Sequence, residues 1–89
     1  MALPPQLVEL RRQVDRVDLE LLDVLARRRE LVARIADVKR QHSLAGFDPA
    51  RESEMLDALL REATLRQVPA MLVRAVLGAI LDDSRGLVG

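Results

Sequence analysis

Arg28 is the residue whose chemistry conflicts most with its position. In heptads counted from Leu7, it shares a row with the apolar residues Val14, Leu21 and Ile35. Side chains of such a row are expected to face a partner helix. Because a buried unpaired charge is costly, an arginine here must find an anion. An ion pair between subunits would satisfy it, and so would a side chain that extends to water.

Two further cations lie on the same predicted helix. Lys39, the only lysine, follows Arg28 by eleven residues, which places it within about 20° of the same face and roughly 16 Å further along. Arg11 lies about 25 Å before Arg28, too far to share a small pocket within one chain. An antiparallel partner helix could bring its Arg11 beside Arg28. Taken alone, Lys39 and Arg11 could each simply be a cation exposed to solvent.

The two other predicted helices also carry polar residues that could bind a ligand. Arg51 and Glu52 stand in a first turn, where glutamate suits the helix dipole and arginine opposes it, so an anionic contact is favoured for Arg51. Ser84 follows the apolar stripe of the third helix. Its hydroxyl could simply bond back to a carbonyl one turn earlier.

The composition excludes several classes of function. The 89 residues include no cysteine, one histidine (His42) and one aromatic residue (Phe47), so we expect neither disulfides nor a metal site. The 14 basic residues balance 14 acidic ones, which argues against a nucleic-acid partner. The first residues lack the pattern of a signal peptide, and no apolar run approaches a membrane span. We therefore expect a cytoplasmic protein without a membrane partner.

A long first helix is predicted to carry the cations. Residues 6–41 contain neither proline nor glycine, and apolar side chains recur at the first and fourth heptad positions. These two rows, named the seam here, are Leu7, Val14, Leu21, Arg28 and Ile35 with Leu10, Val17, Val24, Leu31 and Val38. Such a helix is about 50 Å long. Nothing else in so short a chain can cover it, so a second copy is expected to do so.

Two shorter helices follow, over residues 49–65 and 69–85. Asp48 is predicted to be the N-cap of the second helix, with Pro49 at its first position. Its apolar face comprises Met55, Leu56, Leu59, Leu60 and Ala63, and that of the third helix comprises Leu72, Val73, Val76, Leu77, Ile80 and Leu81. Gly86 suggests fraying beyond them. We predict one all-α domain over residues 1–89, with three helices per protomer.

These residues together resemble the all-helical (AroQ-class) chorismate mutase family over essentially the whole chain. The matching segments are Leu10-Arg11, Val14-Asp15, Val17-Asp18, Leu21-Leu22, Ala26-Arg27-Arg28-Arg29-Glu30-Leu31, Ile35-Ala36-Asp37-Val38-Lys39 and Asp48-Pro49-Ala50-Arg51-Glu52. The resemblance implies an intertwined homodimer with two sites, and the rearrangement of the dicarboxylate chorismate to prephenate without a cofactor.

The resemblance also implies roles for individual residues. Arg28 and the partner's Arg11 would bind the two carboxylates of the substrate, and Lys39 would donate to its ether oxygen. Glu52 and the backbone near Asp48 would hold the ring hydroxyl. Arg51 and Ser84 would complete the polar lining. By this transfer Lys39, Arg28 and Glu52 are the expected catalytic residues.

Position 88 departs from the family pattern. The family usually has glutamine or glutamate there, as a second donor to the ether oxygen, whereas this chain has Val88. Losing one such donor costs about 10²–10³ in rate. The alternatives are a slow mutase activated by a partner enzyme of the aromatic pathway, a misaligned tail after Gly86, or a site adapted to a related substrate.

Other functions stay open on the sequence alone. A 4-amino-4-deoxychorismate mutase or an isochorismate pyruvate lyase could use the same scaffold, although Glu52 favours a mutase over the lyase. A noncatalytic helical dimerisation or regulatory module is a further alternative. The seam arginine argues against that module, because a simple dimer would be more stable with leucine at position 28.

Overall fold

The computed structural model describes residues 2–88 as three α-helices. They are α1 (Pro5–Gln41), α2 (Pro49–Leu65) and α3 (Ala70–Val88), and no strand occurs in this range. The all-helical prediction is therefore confirmed. The chain divides into two compact units, one up to Leu31 and one from Val32 onward, and each is described by itself below. None of the described helices is long and apolar enough to cross a membrane.

The first unit contains the N-terminal part of α1. Pro5 begins the helix, where its missing N–H costs nothing. The seam side chains here are largely uncovered: Leu10 is 57% exposed, Val14 58%, Val17 59% and Leu21 51%. An apolar row of this kind has too little contact within its own unit to account for its pattern.

The second unit contains the packed part of the chain, where α2 lies against α3. Ala36, Ala63 and Leu81 are buried. Met55, Leu56, Leu60, Val73, Leu77 and Ile80 are half-buried, in agreement with the predicted apolar faces. Leu59, Leu72 and Val76 were placed on these faces as well but are exposed. These three residues are exposed because the apolar stripes of α2 and α3 are wider than the contact that the two helices make.

The second residue of each interhelical connection has the left-handed conformation. Ser43 has φ 54° after α1, and Gln67 has φ 58° after α2. In each case the next amide donates back to the last turn, from Leu44 to the Lys39 carbonyl at 2.8 Å and from Val68 to the Ala63 carbonyl at 2.9 Å. This is the Schellman arrangement, which normally uses glycine. It fixes the direction in which the loop after Lys39 leaves the helix.

Candidate functional site

Six of the predicted site residues lie in the second unit, on α1, α2, α3 and the loop between α1 and α2. They are Lys39, Asp48, Arg51, Glu52, Ser84 and Val88. The contacts that join these elements run through the loop residues Gly46 and Phe47 and through Arg85 of α3. The other two predicted residues, Arg11 and Arg28, belong to the first unit, where Arg11 is exposed and Arg28 is half-buried.

Lys39 is held against the loop by a hydrogen bond. Its half-buried Nζ donates to the carbonyl oxygen of Gly46 at 2.8 Å. An ammonium group has three donors, so this bond fixes its direction while leaving capacity for a further oxygen acceptor. Lys39 is therefore held against the loop, whereas its neighbour Arg40 is exposed.

Gly46 lies unusually close to the end of α3. A Cβ atom built at this position would stand 2.5 Å from the backbone oxygen of Val88. Any side chain here would collide with main chain, which cannot move aside as a flexible side chain can. The absence of a side chain thus lets the loop that binds Lys39 contact the last turn of α3.

Asp48 caps α2 as predicted. It has extended backbone geometry, and its Oδ1 accepts from the Arg51 amide at 3.1 Å. The Glu52 amide donates to the Asp48 carbonyl at 3.1 Å. The first of these bonds satisfies an amide that a helix start leaves unpaired, and the second is the first backbone bond of the helix. The cap sets the positions from which Arg51 and Glu52 project, with Arg51 exposed and Glu52 half-buried.

Glu52 forms an ion pair with Arg85 of α3. The Arg85 Nε donates to Oε2 of Glu52 at 3.3 Å, and its Nη2 lies 3.1 Å from Oε1. The second contact is electrostatic only, because Oε1 is buried and accepts no aligned hydrogen bond from residues 2–88. The Glu52 side chain is 18% exposed and that of Arg85 49%. A largely buried carboxylate therefore has its counter-charge on a different helix.

Sequence reasoning missed Arg85. The residue stands 33 positions after Glu52, and no local spacing links the two. Its guanidinium also lies 5.2 Å from the centre of the Phe47 ring. The only available signals were the single aromatic residue and an arginine directly after Ser84.

Ser84 and Val88 both lie in an unbroken α3. Ser84 Oγ donates to the Ile80 carbonyl at 3.0 Å. This is the bond to a carbonyl one turn earlier that the sequence suggested. The helix continues through Gly86 to Val88, beyond the expected end near residue 85. The predicted fraying at Gly86 is therefore wrong, and Val88 falls one helical turn after Ser84 as the family pattern requires.

Comparisons with known proteins agree with this arrangement of helices and polar residues. A sequence profile of the family described as chorismate mutase type II matches residues 10–88, so the chain belongs to that family. It is 32% identical over 82 residues to a chorismate mutase of Methanocaldococcus jannaschii, with 92% of this chain and 83% of the relative covered. These matches do not favour the related-substrate or noncatalytic alternatives.

Other relatives are much longer proteins. The chain is 42% identical over 79 residues to a T-protein of Enterobacter agglomerans, which covers 89% of this chain but 21% of that protein. It is 39% identical over 56 residues to a bifunctional chorismate mutase/prephenate dehydratase of Aquifex aeolicus, with 63% of this chain and 16% of the relative covered. The chain thus spans about a fifth of the length of these curated relatives.

Proposed function

We propose that this chain catalyses the [3,3] rearrangement of chorismate to prephenate. The observation that carries the proposal is the half-buried Lys39 ammonium, held 2.8 Å from the Gly46 carbonyl in a member of the chorismate mutase type II family. In the same unit, Glu52 offers a largely buried carboxylate that suits a ring hydroxyl.

The proposed mechanism is electrostatic and conformational. The rearrangement needs neither a nucleophile nor proton transfer, but negative charge grows on the ether oxygen as its bond to carbon breaks. Lys39 would donate to that oxygen, and a donor already oriented before the reaction needs no reorganisation. Arg28 and the partner's Arg11 would bind the two carboxylates, since a planar guanidinium can bind both oxygens of each. Holding the compact conformer lowers the entropic barrier further.

The proposed enzyme is an intertwined homodimer. Support comes from the exposed seam of the first unit, where Leu10, Val14, Val17 and Leu21 lack cover within the chain. Burying apolar surface contributes about 25 cal/mol per Å², and an antiparallel copy would supply it. The same crossing would place the partner's Arg11 beside Arg28, so each site would need both chains.

Val88 makes the proposed activity weak without help. Its side chain has no donor for the ether oxygen, and the continuity of α3 to Val88 argues against a misaligned tail. We infer that a cytoplasmic partner enzyme of the aromatic pathway raises the rate. The fusion with prephenate dehydratase named for the Aquifex aeolicus relative supports a partner of this kind.

The test is the conversion of chorismate to prephenate by the purified protein, with and without candidate partner enzymes. Lys39→Ala is expected to lower kcat by about 10²–10³, the effect of losing one oriented donor. Arg40→Ala is the matched control, because this neighbouring cation is exposed and pairs with Asp37. Thermal melts would show whether each variant folds. Wild-type protein that never exceeds the uncatalysed rate would overturn the proposal.

A further inference from the structure

The ion pair between Glu52 and Arg85 has a clear physical cause. A carboxylate that is 18% exposed has lost most of its hydration, so a nearby counter-charge stabilises it in place. Arg85 supplies that charge from α3, while Glu52 projects from the first turn of α2. The pair therefore also links the two helices that carry polar site residues.

Three groups fix the Arg85 guanidinium. Its Nε donates to Glu52, its Nη1 donates to Asp82 Oδ1 at 2.7 Å, and its central carbon lies 5.2 Å from the Phe47 ring centre. Stacking on an aromatic ring and bonding through separate edges are uses that suit arginine better than lysine. A guanidinium with both edges engaged is poorly available to a substrate but well suited to hold another side chain.

We propose that Arg85 is a positioning residue that orients the Glu52 carboxylate toward the substrate. This inference rests on the proposed function, in which Glu52 holds the ring hydroxyl. Arg85 itself touches no reacting atom in this scheme. Without it, the Glu52 side chain turns away from its buried position toward water, and the hydroxyl loses an aligned acceptor.

A double-mutant cycle of Arg85→Ala and Glu52→Gln tests the inference through kcat/KM for chorismate. Arg85→Ala alone is expected to lower the value by about 10-fold, within the roughly 100-fold that misplacing a binding group can cost. Glu52→Gln removes the charge that Arg85 holds, so adding Arg85→Ala to it is expected to have no further effect. Arg85→Lys keeps the charge but lacks the planar guanidinium that stacks on Phe47 and bonds through two edges, so it is expected to recover only part of the lost activity.

Arg66→Ala serves as the matched control. Arg66 also pairs with a glutamate, Glu62, but both side chains are more than half exposed and neither belongs to the proposed site. It is expected to retain wild-type kcat/KM, and melting curves would confirm that all variants fold.

The outcomes separate this inference from the proposed function. Suppose that the wild type is active and that Arg85→Ala has the same effect with Glu52 intact as in the Glu52→Gln background. That result would overturn the positioning role alone, because Arg85 would then act directly or through the general fold. An Arg85→Ala variant as active as wild type would overturn it too. An inactive wild type would overturn the proposed function and this role with it.

Discussion

The two units differ in how their apolar side chains are satisfied. In the second unit, α2 packs on α3 and buries Ala63 and Leu81. In the first unit, one helix presents an apolar seam with little cover. A single helix in water gains little stability from its own hydrogen bonds. The second unit therefore buries apolar side chains within the chain, whereas the seam of the first unit stays exposed, which agrees with the homodimer proposed above.

The largest expected effect comes from placing a charged residue in the apolar seam of the first unit. In the proposed homodimer, Val17→Asp would bury two carboxylates, one from each chain, and each costs several kcal/mol. We expect the dissociation constant of the dimer to rise by at least about 10³-fold and chorismate turnover to disappear. Analytical ultracentrifugation and activity at matched concentrations would measure this.

Leu19→Asp is the control for the seam variant. Leu19 is 62% exposed, close to the 59% of Val17, but it lies outside the seam. It is expected to stay dimeric and active. Equal loss of dimer in both variants would contradict the assignment of the seam.

A mixing experiment tests whether Arg11 of one chain acts together with Arg28 of the other. Arg11→Ala and Arg28→Ala homodimers are each expected to lose about 100-fold or more in kcat/KM, because a carboxylate loses its charged partner. Co-refolding equal amounts would restore one intact site in each mixed dimer, or about a quarter of wild-type activity by symmetry. No recovery, despite mixed dimers seen by native mass spectrometry, would show that both arginines act from one chain.

The smallest expected effect concerns the second unit alone. Gly46→Ala places a Cβ atom 2.5 Å from the Val88 backbone oxygen, and such overpacking is expected to lower the free energy of unfolding by about 1–3 kcal/mol. Gly78→Ala is the control of opposite sign. A Cβ there meets nothing within 4 Å, so helix propensity should stabilise the protein by about 0.5–1 kcal/mol. Chemical denaturation would measure both changes in the free energy of unfolding. Changes of the same sign would contradict the close contact between Gly46 and Val88.

Local sequence signals predicted much of the fold. The uninterrupted helical spacing of residues 6–41, the Asp48 cap with Pro49, and the back-bond of Ser84 all depend on neighbours within one or two turns. The left-handed residues Ser43 and Gln67 were not predicted, because neither is glycine and only the path of the following loop requires them.

The site was predictable only in part, because its contacts join distant segments. Lys39 and Glu52 could be assigned by resemblance, but nothing in the sequence showed that Arg85 would hold Glu52 or that Gly46 would contact Val88. Such pairings depend on how α3 packs beside α2. The roles of all eight predicted site residues remain predictions, and the mixing experiment addresses those of Arg11 and Arg28.

The acceptor that holds Lys39 is a main-chain carbonyl. Every residue type carries that oxygen, so no substitution at position 46 can delete the acceptor itself. Its position depends on the course of the connection between Gln41 and Pro49 and on the close approach of Gly46 to Val88. We therefore expect the length of this connection to tolerate less variation than its composition outside Gly46.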